Sequence, residues 1–157
     1  MKLSSGLARV PEMLKLGVRV GLAVDGSASN DGSNLLEELR TGFLLHRLNS
    51  SSAAPTGYDM LKIATRGSAS ILGRDDIGQI AEGMAADFFL INMDRLSLTG
   101  AQFDVSSMLG TVGYKGNVDY TVVNGRVVVR EGRLTGVDEE KITAEAKQCV
   151  SRYLGRS

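Results

Sequence analysis

Few residues in this chain could do chemistry, and the scarcest types exclude the most. There is one histidine, His46, and one cysteine, Cys149. A zinc site built from three histidines, from four cysteines or from two of each cannot come from a single copy. A Ser-His-Asp triad would need His46 as its base. No intrachain disulfide is possible, and nothing signals an oxidising compartment. What remains is a carboxylate. Asp25 ends the apolar run Val18-Arg19-Val20-Gly21-Leu22-Ala23-Val24 and opens the polar loop Gly26-Ser27-Ala28-Ser29-Asn30-Asp31-Gly32-Ser33-Asn34. An acid at the C-terminal tip of a buried strand, ahead of a small-residue loop and a helix, is where α/β folds place chemistry. There it can ligate a hard or borderline metal or act as base on a bound water. Ser27, Ser29 and Asn30 add side-chain donors for a polar ligand. Two other readings stay open on local pattern alone. Asp25 and Asp31 could simply satisfy loop amides as turn and cap residues. The Ser27–Ser33 loop could cradle phosphate at a helix N-terminus, although it matches neither glycine-rich phosphate motif and carries acids that repel an anion.

The elements that must position Asp25 follow from hydrophobic patterning. Pro11 to Leu16 is expected as a short helix stopped by Gly17. Val18 to Val24 is expected as a strand buried on both faces, because its apolar residues run almost without alternation. A helix is expected from about Leu35 to Leu48, capped by Asn34 with Glu37 in capping-box position, its apolar stripe being Leu36, Leu39 and Phe43. His46 falls about three turns along it, where a solvated or cap-side side chain is expected. Asn49 to Pro55 is a Ser/Ala-rich linker. Thr56 and Asp59 start another helix, which runs to Gly67 with a further turn to Leu72-Gly73. Phe88-Phe89-Leu90-Ile91 is a strand, and residues 95–117 are Gly- and Ser-rich with weak signals. Tyr120 to Val123, Asn124-Gly125 and Arg126 to Val129 predict a hairpin with a type I′ turn, and Glu131-Gly132 turns again. Arg126, Arg130 and Arg133 are expected on a solvated face. Asp138 caps a last helix with the stripe Ile142, Ala146, Cys149-Val150 and Tyr153, where Cys149 is expected in the core. The first half thus reads as parallel α/β, the second as a small antiparallel β unit closed by a helix. A single parallel strand needs neighbours on both edges, and nothing else in the first half reads as one.

Composition bounds the class. The 157 residues are 43% hydrophobic, 23% charged and 5% aromatic, with no Trp. That suits a globular domain and excludes disordered, collagen-like and coiled-coil chains. Eighteen basic and eighteen acidic residues cancel, which argues against a nucleic-acid partner. No run nears the roughly 20 apolar residues of a membrane helix, and no signal peptide is evident. Cytoplasmic is the default localisation, and no membrane partner is expected.

These residues resemble a known family. Leu3-Ser4-Ser5-Gly6, Gly17 to Asp31 and Glu37-Glu38-Leu39-Arg40 are similar to the final strand–helix unit of the metal-dependent amidohydrolases, in the deaminase and chlorohydrolase branch. Ala64-Thr65-Arg66-Gly67-Ser68-Ala69, Leu72-Gly73-Arg74, Ile77-Gly78, Gly83-Met84-Ala85-Ala86-Asp87 and Val123 to Gly132 are similar to that branch's tail. The order is collinear over nearly the whole chain. Within the branch, the wording V-D-G-S-A-S-N-D is nearest the 8-oxoguanine deaminases, with hydroxyatrazine-type aminohydrolases and guanine deaminases close by.

The resemblance implies an α/β fold: the last β/α unit of a TIM-like (β/α)8 barrel (residues 1–78), a C-terminal segment of a small β-sandwich (residues 79–136) and a C-terminal helix (residues 137–157). It implies one divalent metal, usually zinc (Zn), held by an H-x-H pair, two further histidines and the Asp of the last strand. The implied reaction is hydrolysis of a C–N bond: deamination of a purine such as 8-oxoguanine, or of a related N-heterocycle, by metal-activated water. Only Asp25 carries over, as metal ligand and general base, with Ser27, Ser29 and Asn30 near the substrate. The other ligands and the catalytic Glu have no counterpart in this sequence. The isolated chain is therefore expected to be inactive, a truncated piece completed by a missing N-terminal barrel portion or by oligomerisation. The alternative is a non-catalytic assembly or binding module.

Overall fold

The computed structural model describes residues 2–155, which form two compact units: Met1–Ala85 with Asn92–Gly116, and Ala86–Ile91 with Asn117–Ser157, each within those described bounds.

The first unit is helical. Helix α1, Val10–Lys15, begins with Pro11 in its first turn, where the missing N–H costs nothing. It ends at Gly17, whose φ of 71° lets Gly17 N donate to Leu14 O and Val18 N to Met13 O. That is a full Schellman cap. Residues 18–24 follow as extended chain without a strand partner among the described residues. Here the expectation of a strand buried on both faces is corrected. The run is exposed to half-buried, because a ladder needs a second strand and this unit contains none.

Helix α2, Leu35–Ser50, is capped by Asn34, whose side chain accepts from Leu36 N. It docks through Leu39, which is 1% exposed and the most completely buried large side chain among the described residues. Helix α3, Gly57–Lys62, carries the expected reciprocal capping box between Thr56 and Asp59. It continues through a π turn, Ile63–Gly67, into helix α4, Ser68–Ile71, which Gly73 closes with a second Schellman cap. The π turn is supported by Thr65, whose hydroxyl donates back to Leu61 O.

Residues 92–116 pack with this unit. Two 3-10 turns, Leu96–Leu98 and Ala101–Asp104, lead to helix α5, Met108–Thr111, which packs against α2 and α3. The crossing of α3 and α5 depends on two glycines. A Cβ at Gly110 would lie 2.6 Å from Gly57 Cα, and one at Gly57 would strike Ser107. Arg40 of α2 donates to the carbonyl of Thr111 at the end of α5.

The second unit is a four-stranded antiparallel sheet in the order β1 (Phe88–Leu90), β2 (Tyr120–Val123), β3 (Arg126–Arg130) and β4 (Arg133–Leu134). Asn124-Gly125 forms the expected turn with φ of 47° and 77°, as a type I′ turn requires. Asp87 braces that turn: its carboxylate accepts from Asn124 N at 2.6 Å, while Gly125 N donates to Ala86 O. The register shifts between Thr121 and Val122, and the bulge falls on β3 at Val128. Arg126, Arg130 and Arg133 are exposed, as expected.

Helix α6, Glu139–Tyr153, starts at Asp138, which accepts from Lys141 N. Every residue of α6 is exposed. Cys149, expected in the core, is exposed and accepts from Arg152. Periodicity identifies an apolar face correctly but does not guarantee a cover for it.

Candidate functional site

Asp25 is delivered by the extended segment, and helix α4 holds that segment in place. Ser68 Oγ accepts from Leu22 N at 3.3 Å and lies 3.4 Å from Leu22 O, so one hydroxyl serves both backbone groups. Arg19 donates to Ser70 O. The approach is close because Gly21 and Gly67 lack side chains: a Cβ at Gly21 would lie 2.9 Å from both Ile71 and Ser68.

At Asp25 the backbone turns into the left-handed region, with φ of 66°. One carboxylate oxygen accepts from Gly26 N at 2.7 Å, the other from Ser29 Oγ at 2.9 Å. The Gly26 N–H, and then the Ser29 hydroxyl, hold the carboxyl below its ordinary value of 3.8. Asp25 is thus ionised at neutral pH, and each oxygen keeps a lone pair for a further partner.

Asn30 turns away from Asp25. Its side chain donates to Glu38 at 2.6 Å and accepts from Gly32 N. Asp31 is tied to Lys2 at 2.9 Å. Ser27 lies exposed in the Ser27–Ser29 turn. An open cleft of about 470 Å3 joins these groups, lined among others by Asp25, Ser29, Asn30, Asp31, Glu37 and Glu38. Of the sequence-derived candidates, Asp25, Ser29 and Asn30 share this cleft, and Ser27 does not line it. Glu38 and Lys2 fasten the loop. In sequence Glu38 stands out only within the motif Glu37-Glu38-Leu39-Arg40, as an acid in the first turn of the following helix, and Lys2 carries no signal.

The acids also weigh on the ligand's charge. Asp25, Asp31, Glu37 and Glu38 around one cleft repel an anion, so the phosphate-cradle reading finds no support here. A cation is the better match, yet the donor set is short. Among the described residues, no three His, Cys, Asp or Glu side chains gather to hold a metal ion. One carboxylate does not make a zinc site, which takes three or four protein ligands. The described residues on their own therefore do not fit a bound metal.

His46 is not part of the cleft lining and is not solvated, contrary to expectation. It is 5% exposed, inside the first unit, with Nδ1 lacking any hydrogen-bond partner. It continues the stripe Leu36, Leu39, Phe43 at the next helical step, a signal that was present in the spacing.

A profile of the amidohydrolase family matches residues 1–128. The chain belongs to the amidohydrolase family. Over 148 residues it is 46% identical to hydroxydechloroatrazine ethylaminohydrolase of Pseudomonas sp. (strain ADP), covering 92% of this chain and 31% of that protein. It is 37% identical to 8-oxoguanine deaminase of Pseudomonas aeruginosa over 154 residues, covering 98% and 34%. Among solved structures it superposes on zinc-complexed atrazine chlorohydrolase of Arthrobacter aurescens with a TM-score of 0.82 at 38% identity, covering 91% and 32%. The deaminase and chlorohydrolase branch read from the motifs is the branch these amidohydrolases represent. The chain spans about a third of the length of the relatives it matches. No helix among the described residues is long and apolar enough to cross a membrane.

Proposed function

We propose that this chain contributes Asp25 to the metal centre of an amidohydrolase that hydrolyses a C–N bond in a purine such as 8-oxoguanine or a related N-heterocycle. The observation that carries the reading is the Asp25 carboxylate: ionised, steadied from two sides, with free lone pairs at the mouth of an acidic cleft. Zinc or another divalent ion, when bound, lowers the pKa of a coordinated water. A carboxylate held below its ordinary range is permanently charged at neutral pH, which suits a ligand. The same shift makes the Asp25 carboxylate a weaker base than an ordinary aspartate, and a completed site would have to supply what it needs to act as one. Ser29 orients Asp25, Asn30 is on the substrate side of the loop, and Ser27 lies outside the cleft.

In this reading residues 1–78 close a (β/α)8 barrel, residues 79–136 belong to a small sandwich and residues 137–157 are its C-terminal helix. The histidine ligands and the acid that protonates the ring come from a preceding barrel portion or a neighbouring subunit. The test is to express this chain alone and joined to its upstream coding sequence. Metal content by mass spectrometry and ammonia release from 8-oxoguanine are then measured. One zinc per joined chain, with both readouts lost in Asp25→Ala, is expected; an Asp25→Ala protein that keeps its zinc and its activity overturns the assignment.

The second reading, an assembly module without catalysis, is favoured by the fully exposed α6. It predicts association of the lone chain without zinc uptake in either form.

A further inference from the structure

His46 is a buried titratable side chain that the proposed chemistry does not use. It lies 5% exposed on α2, and its Nδ1 reaches no donor or acceptor. A buried imidazole with one unpartnered nitrogen is tolerable when neutral and costly when protonated, because the cation would carry a second N–H with nothing to accept it.

The groups around it do little to relieve that cost. Glu12 of α1 is the charge that acts on it, but that carboxylate is half-exposed and already paired with Arg9. On α3, Asp59 and Lys62 are closed on one another at 2.7 Å. Helix α5 and the 3-10 turn Ser51–Ala53 carry no ionisable side chain. On α2 itself, Arg47 lies over Phe43 and donates to Ser51 O, and Arg40 serves Thr111. Burial accordingly pushes the imidazole below its ordinary value of 6.5, with Glu12 pulling weakly the other way.

Helix α2 is also one wall of the Asp25 cleft. Glu38 on its first turn holds Asn30, Asn34 caps it directly after the loop, and Glu37, Thr41 and Leu45 line the cleft.

We propose that His46 is a proton-sensitive latch: protonation loosens the docking of α2 and, through Glu38 and Asn30, releases the loop that positions Asp25. The sign follows from linkage. The native chain binds fewer protons at His46 than the unfolded chain, so this stability is complete above pH 6.5 and is lost as pH falls below it. As a control over a catalytic loop the latch rests on the reading of Asp25 given above. As a property of the helix and loop it does not.

Because His46 is the sole histidine, its ring C–H signals in a labelled sample report one titration. The 157-residue chain is followed by NMR between about pH 7.5 and 5, without metal or substrate. A His46 midpoint below 6.5 is expected, with the amides of Gly26, Ser29, Asn30 and Gly32 following the same midpoint. A midpoint at or above 6.5, or loop amides that ignore it, overturns the latch. In melting scans the native chain should lose stability across this range while His46→Leu stays level; equal acid losses in both overturn it. Should His46→Leu not fold, the native titration decides. Zinc uptake plays no part in these readouts, so the latch and the metal assignment fail separately.

Discussion

Substituting alanine for Gly67 tests how the segment carrying Asp25 is held. The new methyl group would lie far inside contact distance of Val20 O and 3.3 Å from the Val20 carbonyl carbon. Relief requires that backbone to retreat by about an ångström, since non-bonded heavy atoms settle at roughly 3.5 Å or more. Neither partner is the tip of a flexible side chain, so strain of about 1–3 kcal/mol is expected. The Ser68 contacts to Leu22, at 3.3 and 3.4 Å, are already long and would be lost. That adds about 0.5–1.5 kcal/mol. Against this, alanine in a helix gains about 0.5–1 kcal/mol over glycine. The net loss is roughly 2 kcal/mol, which in a chain of this size lowers Tm by about 4–8 °C. Calorimetry gives the melting point, and hydrogen exchange gives the protection of the Leu22 amide. Gly136→Ala, where a methyl group would meet nothing within 4 Å, is the control and should leave both unchanged. A Gly67→Ala chain that melts at or above the parent temperature, with Leu22 protected as before, refutes the close approach.

Other outcomes follow from single contacts. Ser29→Ala removes the second-largest of the interactions that depress Asp25, so the Asp25 carboxyl should titrate closer to 3.8 while the Gly26 N–H keeps it below that value; carboxyl-carbon NMR reads the shift. Asp59 is held at about 2 by Lys62 first, then by the Thr56 hydroxyl and N–H. Its contribution is present above 3.8 and is lost as pH falls from about 4 towards 2. Thr56→Ala should cost about 1 kcal/mol in thermal melts near neutral pH and move that acid loss upward.

The parts of the fold that are visible in sequence are those whose cause is local. Pro11 with Gly17, Thr56 with Asp59, Asn124-Gly125 and Asp138 each act within a few residues, and each forms the cap or turn its chemistry demands. The parts that are not visible depend on partners distant in sequence. Val18 to Val24 has the residues of a buried strand, but no neighbour among the described residues supplies a ladder, so it lies exposed to half-buried. Ser68 gives no hint in its own surroundings that it clamps a segment 46 residues away. Residues 95–117 lack periodicity because they are built from 3-10 turns and the single-turn helix α5, yet Leu98, Met108, Leu109 and Tyr114 are core. His46 is expected to be solvated or cap-side from its place about three turns along α2, yet its spacing from Leu39 and Phe43 places it inward, where it is buried. Asp25 was found because an acid after an apolar run is itself a local pattern. Its hold on Gly26 N and Ser29 is local too, whereas the Lys2 and Glu38 anchors of its loop are not.

The left-handed backbone at Asp25 lets two kinds of selection be told apart. An L side chain at φ of 66° carries about 1–2 kcal/mol that glycine would not. Asp25→Gly relaxes the turn but deletes the carboxylate with its bonds to Gly26 N and Ser29 Oγ, and glycine adds chain entropy, so the melting temperature should stay near the parent's. A library of this chain screened for heat resistance alone would accept glycine at this position as readily as aspartate, and one screened for turnover in the completed enzyme would return aspartate. The difference between them would mark Asp25 as a residue retained for chemistry.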